Sequence, residues 1–125
     1  MKITRINRRT FAACTLLNFA QFFIISSISN INAIDHNTHH SVLFSLYIAL
    51  YLFSAVYFLV TTIILSLKRV YDLGWHWLTV ILFGLFTPLL VLLAILPGEK
   101  AKNKYGAVPS DDIQLSRNLM WWHKA

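Results

Sequence analysis

Three stretches without a single Asp, Glu, Lys or Arg constrain what this chain can become. Phe11 to Ala33 runs 23 residues without a charge, about 34 Å as a helix at ~1.5 Å per residue. Val42 to Leu67 is longer and equally uncharged, and His76 to Leu96 is the third. Each reaches the roughly 20 residues that cross ~30 Å of hydrocarbon. The expected fold is an all-α membrane protein of three transmembrane helices with short connectors, over about residues 11–33, 42–67 and 76–97. The connectors Asn32–Ser41 and Lys68–Trp75 make neighbouring helices antiparallel. A C-terminal tail, 98–125, is expected to carry a short interfacial helix, and residues 1–125 read as one membrane domain.

Composition agrees. The 125 residues are 57% hydrophobic and 13% charged, against about 25% charged in an average soluble domain. A formal charge of +6 would suit nucleic acid in a soluble chain. Here the eleven Lys and Arg stand at the edges of apolar runs, where such residues anchor helices to lipid headgroups. The expected partner is therefore the bilayer and no nucleic acid. Cys14 is the one cysteine, which excludes an internal disulfide.

The stretch Asn7–Cys14, "NRRTFAAC", admits three readings. Arg8-Arg9 followed by Thr10-Phe11 looks like a twin-arginine export signal, and Phe11-Ala12-Ala13-Cys14 comes close to a lipoprotein box. A lipoprotein box needs an apolar stretch before its cysteine, whereas Cys14 follows Lys2, Arg5, Arg8 and Arg9. Ser27-Ile28-Ser29 resembles a cleavage site, but the core containing Phe19, Phe22, Phe23, Ile24 and Ile25 is strongly hydrophobic. The segment is expected to stay as the first span.

Arg8-Arg9-Thr10-Phe11, Lys68-Arg69-Val70-Tyr71-Asp72-Leu73-Gly74, Pro97-Gly98 and Asn103-Lys104-Tyr105-Gly106-Ala107-Val108-Pro109 occur in that order. In series they resemble the motifs of a small bacterial inner-membrane family, domain of unknown function 805. That family typically shows Arg-Arg-x-Glu-Phe/Tyr-Trp, Arg-Arg-Leu-His-Asp-x-Gly and Pro-Gly…Asn-Arg-Tyr-Gly-x-x-Pro. The chain departs from it at Tyr71, where histidine is usual, at Trp75-His76, usually Ser-Gly, and in lacking the acidic residue after the arginines. The resemblance implies a bacterial inner-membrane protein and brings no biochemical activity with it.

Arg69 and Asp72, at i and i+3, can pair if the second helix continues for a turn. Gly74 would close that turn in a left-handed conformation. This reads as a hairpin clamp, with Tyr71, Trp75 and Trp77 as an aromatic belt; a headgroup or partner site centred on Arg69 is the sharper alternative. Lys68 has no such partner along the turn and is expected to matter less. In the tail, Asn103-Lys104-Tyr105-Gly106 suits a tight turn, and Lys100, Lys102 and Lys104 suit a basic edge on anionic lipid. Leu115, Leu119 and Trp122 would share one face of the interfacial helix. His36, His39 and His40 beside Asp35 have the residue types of a metal site, but nothing else completes a ligand set, so a solvated turn is expected and no metal.

Inside the first span, Asn18 and Gln21 share one side at i and i+3. Their amides need partners in lipid, so that side should face protein, and leucine at Phe22 or Ile25 should be silent if those positions only touch lipid. Gly84 and Thr87-Pro88 predict a kink in the third span. No Asp, Glu, Lys or Arg lies within a span, which argues against ion-coupled transport. Basic residues place the amino terminus in the cytoplasm, and three crossings would put the tail outside. Two function classes follow. The first is a non-catalytic accessory subunit or scaffold of a larger membrane complex, without cofactor. The second is a small oligomeric pore or carrier lined by the Asn18/Gln21 face. Arg8, Arg9, Asn18, Gln21, Arg69, Asp72, Asn103 and Tyr105 are the interface or headgroup candidates.

Overall fold

The computed structural model describes residues 5–34, 41–86, 88–109 and 115–119. The histidine loop, Thr87 and Trp122 lie outside them. The described residues form helices and turns: α1 (Arg8–Ile34), α2 (Ser41–Asp72), α3 (Thr79–Leu85), α4 (Leu89–Ile95) and α5 (Leu115–Leu119).

Local chemistry sets the ends. Asn7 caps α1: its side-chain oxygen accepts from the Thr10 N–H at 2.7 Å, and its carbonyl accepts the first helical bond, from Phe11. At the other extreme, α2 stops at a reversal built on Gly74, whose φ is +72°. The Gly74 N–H returns to the Tyr71 carbonyl and the Trp75 N–H to the Val70 carbonyl. This paired pattern satisfies the last carbonyls of a helix.

Two helices are long and apolar enough to cross a membrane, Arg8–Ile28 and Phe44–Asp72. They pack side by side. Phe22 stacks on Phe58 with ring centroids 4.7 Å apart, and Phe19 meets the same ring edge-on at 5.0 Å. Phe22 therefore does not touch lipid alone; it packs between the two helices. Elsewhere the pair turns its apolar side chains outward, and Phe53 is 73% exposed. Surface of that kind is stable in lipid and not in water.

The third apolar run is not one helix over 76–97. Pro88 has no N–H to give to Gly84, and the Leu89 N–H goes to the Phe86 carbonyl at 2.8 Å. The helical ladder is thereby broken between Leu85 and Leu89, leaving two seven-residue helices. A kink was legible from Pro88; the full break exceeds it. Both ends of this broken run meet at the same place. A side-chain carbon at Gly74, before α3, would overlap the Glu99 carboxylate, beyond α4. The Glu99 N–H also donates to the Asp72 carbonyl at 2.9 Å. The run thus leaves the C-terminal end of α2 and returns to it, so the tail starts beside the amino-terminal segment instead of opposite it.

The small core lies at that shared end. Ile6, Phe11, Cys14, Leu65, Val70, Leu90 and Leu93 are buried together, with Leu73, Val80, Leu89, Ala94, Leu115 and Leu119 packed on them. α5 is therefore docked on the bundle, where the sequence predicted a helix lying at the interface.

Candidate functional site

Charged side chains gather under this core in an arrangement that a hydropathy profile would forbid. Arg69, on the last turn of α2, is 0% exposed. Its Nε donates to the Leu93 carbonyl at 2.7 Å and its Nη1 to the Ile6 carbonyl at 3.3 Å. Nη1 also pairs with the Asp72 carboxylate, and Nη2 donates to the Leu96 carbonyl. Leu93 and Leu96 lie at the C-terminal end of α4, where carbonyls lack helical partners and the helix dipole favours a cation. Arg69 thus caps α4 from a different helix.

Arg5 enters from the other side. Its Nε donates to Asp72 Oδ1 at 3.1 Å, and its Nη2 lies 3.0 Å from the same oxygen. Nη1 donates to the carbonyls of Ala101 at 2.8 Å and Gly106 at 3.3 Å, and Nη2 to that of Glu99. One carboxylate is held between two guanidinium forks, and the remaining fork positions fasten backbone from the amino-terminal segment, α4 and the tail. The planar fork makes arginine suited to this role.

The tail folds to meet it. Asn103 and Gly106 exchange backbone hydrogen bonds, at 3.1 and 3.0 Å, around a turn in which Gly106 has a φ of +135°. Asn103 Nδ2 donates to the Tyr71 carbonyl at 3.0 Å and to Glu99 Oε2 at 2.6 Å. Tyr105 stacks on Tyr71 with centroids 4.0 Å apart and ring planes 9° from parallel. Gly98 lies against the Asp72 carboxylate so closely that a Cβ there would overlap it. The loop before α3, the Pro-Gly step and the Asn-Lys-Tyr-Gly turn are therefore parts of one knot.

These are three of the four segments whose order along the chain carried the family resemblance, and a family model described as "Protein of unknown function (DUF805)" matches residues 3–107. The chain belongs to the DUF805 family. The DUF805 match includes Arg5 and the whole knot and stops at residue 107, short of α5. No curated protein and no solved structure matches the chain.

Of the residues singled out from sequence, Arg69, Asp72, Asn103 and Tyr105 are brought together. Arg8 and Arg9 are exposed on the first turn of α1, outside the knot. Asn18 and Gln21 form a separate polar contact. Asn18 Nδ2 donates to the Phe58 carbonyl at 3.2 Å and to Thr62 Oγ1 at 3.0 Å, and Gln21 Nε2 donates to Ser54 Oγ at 2.9 Å. Their side-chain oxygens are buried and accept no hydrogen bond among the described residues. The amide face is thus occupied by α2 of the same chain. Lys68, expected to lack a partner, is buried and donates to Asn118 Oδ1 of α5 at 2.9 Å.

Arg5 and Glu99 were missed, and Gly98 was noticed only as part of the Pro97-Gly98 motif. A signal for Arg5 existed in the charge count, since Asp72 stands among several cations, but nothing local ties residue 5 to residue 72. A prediction follows for the amide contact. Interhelical polar contacts in membranes contribute about 0.6–2 kcal/mol each, so Asn18→Leu should leave insertion intact and loosen the α1–α2 pairing. Cysteines placed on facing positions of the two helices should then cross-link more slowly than in the parent. An unchanged rate would mean that the amide contributes nothing to the pairing.

Proposed function

We propose that this DUF805 protein is a non-catalytic integral protein of the bacterial inner membrane, working as an accessory subunit or scaffold of a larger membrane complex. The observation that carries the reading is the break between α3 and α4. Leu85 and Phe86 beside it are 71% and 62% exposed. Irregular backbone within hydrocarbon is tolerated only where protein or a water-filled cavity covers it, and the described residues leave this stretch open. A neighbouring protein supplies that cover.

In this reading α1 and α2 span the bilayer, while α3 and α4 dip into it from one side and return, instead of crossing as a third span. Arg5, Arg8, Arg9, Lys68, Arg69, Lys100, Lys102 and Lys104 then share one end, and the excess of cations puts that end, with the amino terminus, in the cytoplasm. The knot acts as a lock: its guanidinium donors are committed to backbone carbonyls and to Asp72, and Asp72 is 2% exposed, which supports a structural part for these charges. No cofactor and no nucleic acid enters the reading. A pore lined by Asn18 and Gln21 is disfavoured, because lining it would require α1 and α2 to part.

The test is cross-linking from a cysteine at Leu85 or Phe86, followed by purification in mild detergent. A stoichiometric larger protein bound at these positions supports the subunit reading. A homo-oligomer alone supports an assembly of this chain, and a monomer whose position 86 reacts freely with a lipid-soluble reagent sinks both.

A further inference from the structure

We propose that the basic end of the molecule is a docking surface for anionic phospholipid headgroups, organised by the knot beneath it. The inference goes beyond the subunit reading and does not depend on it. At this end Arg8, Arg9, Lys100, Lys102 and Lys104 are exposed, and Glu99 is the one exposed carboxylate among the described residues. Glu99 is engaged by the Asn103 amide, and so is not placed to neutralise a lysine by direct contact.

The buried charges add to the effect. Arg5 and Arg69 carry two positive charges, and Asp72, held between them, is the only buried carboxylate among the described residues. Among the described residues the two guanidiniums therefore outnumber the carboxylate between them, and the field of a buried cation is screened less than that of an exposed one. An anion at the surface would offset it.

Position selects lipid over a soluble anion. The cations border the ends of α1 and α2, both apolar enough to cross a membrane. Trp75 and Trp77 are exposed beside the same end, as expected where a protein meets the headgroup layer. The lysines are also held in register with that layer. Arg5 fastens the carbonyl between Lys100 and Lys102, and Lys104 lies 4.9 Å from the centre of the Tyr105 ring, itself stacked on Tyr71 of α2. The strap carrying three lysines is therefore anchored to a transmembrane helix. A phosphodiester with a net negative charge is the partner that fits: phosphatidylglycerol and cardiolipin carry it, and phosphatidylcholine does not.

The full-length protein in bilayer discs of equal parts phosphatidylglycerol and phosphatidylcholine provides the test, with bound lipids read by native mass spectrometry. Phosphatidylglycerol should be retained in excess. The triple variant K100S/K102S/K104S should lower that ratio by about fivefold or more, given the attraction of each basic residue to an anionic surface. R8Q/R9Q should lower it less, and its substitutions are exposed, so it remains informative should the triple variant accumulate poorly. Ratios unchanged in both variants would overturn the proposal. So would competition by inorganic phosphate at constant ionic strength, which would identify a site for a free anion.

Discussion

Asp72→Ala should nearly abolish accumulation of folded protein. The carboxylate is the shared acceptor of Arg5 and Arg69, both buried. Removing one partner of a buried ion pair typically costs about 3–5 kcal/mol, because the remaining charge is left uncompensated. Here two guanidiniums are left, in a protein whose total stability is on the order of 5–15 kcal/mol. Glu99→Ala is the comparison, since that carboxylate is exposed and its contact with Asn103 is worth roughly 0.5–1.5 kcal/mol. Membrane abundance and thermal unfolding in detergent should separate the two variants widely. Equal behaviour would show that the knot does not hold the fold together.

Gly98→Ala should be nearly as damaging, for a steric reason. Its Cβ would overlap an Asp72 carboxylate that two arginines hold in place. Inserting one methyl into a packed site costs typically about 1–3 kcal/mol and sometimes more, and this neighbour cannot move without breaking both ion pairs. Gly84→Ala is the control. Its Cβ would meet nothing within 4 Å, and alanine within a helix is favoured over glycine by roughly 0.5–1 kcal/mol. The expected order of melting temperatures is therefore Gly84→Ala at or above the parent and Gly98→Ala far below. The reverse order would mean that the Pro97-Gly98 step is not seated against Asp72.

The features that could be read from sequence are those that depend on neighbours along the chain. The two long helices follow from uncharged runs, the Arg69–Asp72 pair from helical spacing, the left-handed Gly74 from the place of a glycine after a basic helix end, and the interruption at Pro88 from a missing N–H. What could not be read depends on residues far apart. Hydropathy over 76–97 is the same whether the run crosses the bilayer or turns back, because apolar residues suit either path. The choice is made by Arg69 reaching the last carbonyls of α4 and by Asp72 accepting the Glu99 N–H at the backbone. Arg5 has no local signature, since one arginine in a basic leader looks like any other. The packing of Phe22 was not legible for the same reason: its partner, Phe58, is in another helix.

Because the knot draws on residues 5 and 106, its closure is tied to the direction of protein synthesis. Arg69 and Asp72 are made well before the Leu93, Leu96, Ala101 and Gly106 carbonyls that complete the cluster. At about 5–20 residues per second, the stretch from Asp72 to Gly106 takes roughly 2–7 s to translate. Until then the guanidiniums of Arg5 and Arg69 lack most of the acceptors that they have in the closed knot. The order of translation thus leaves the two arginines waiting until residue 106 is free, when they become the bolt that closes the fold.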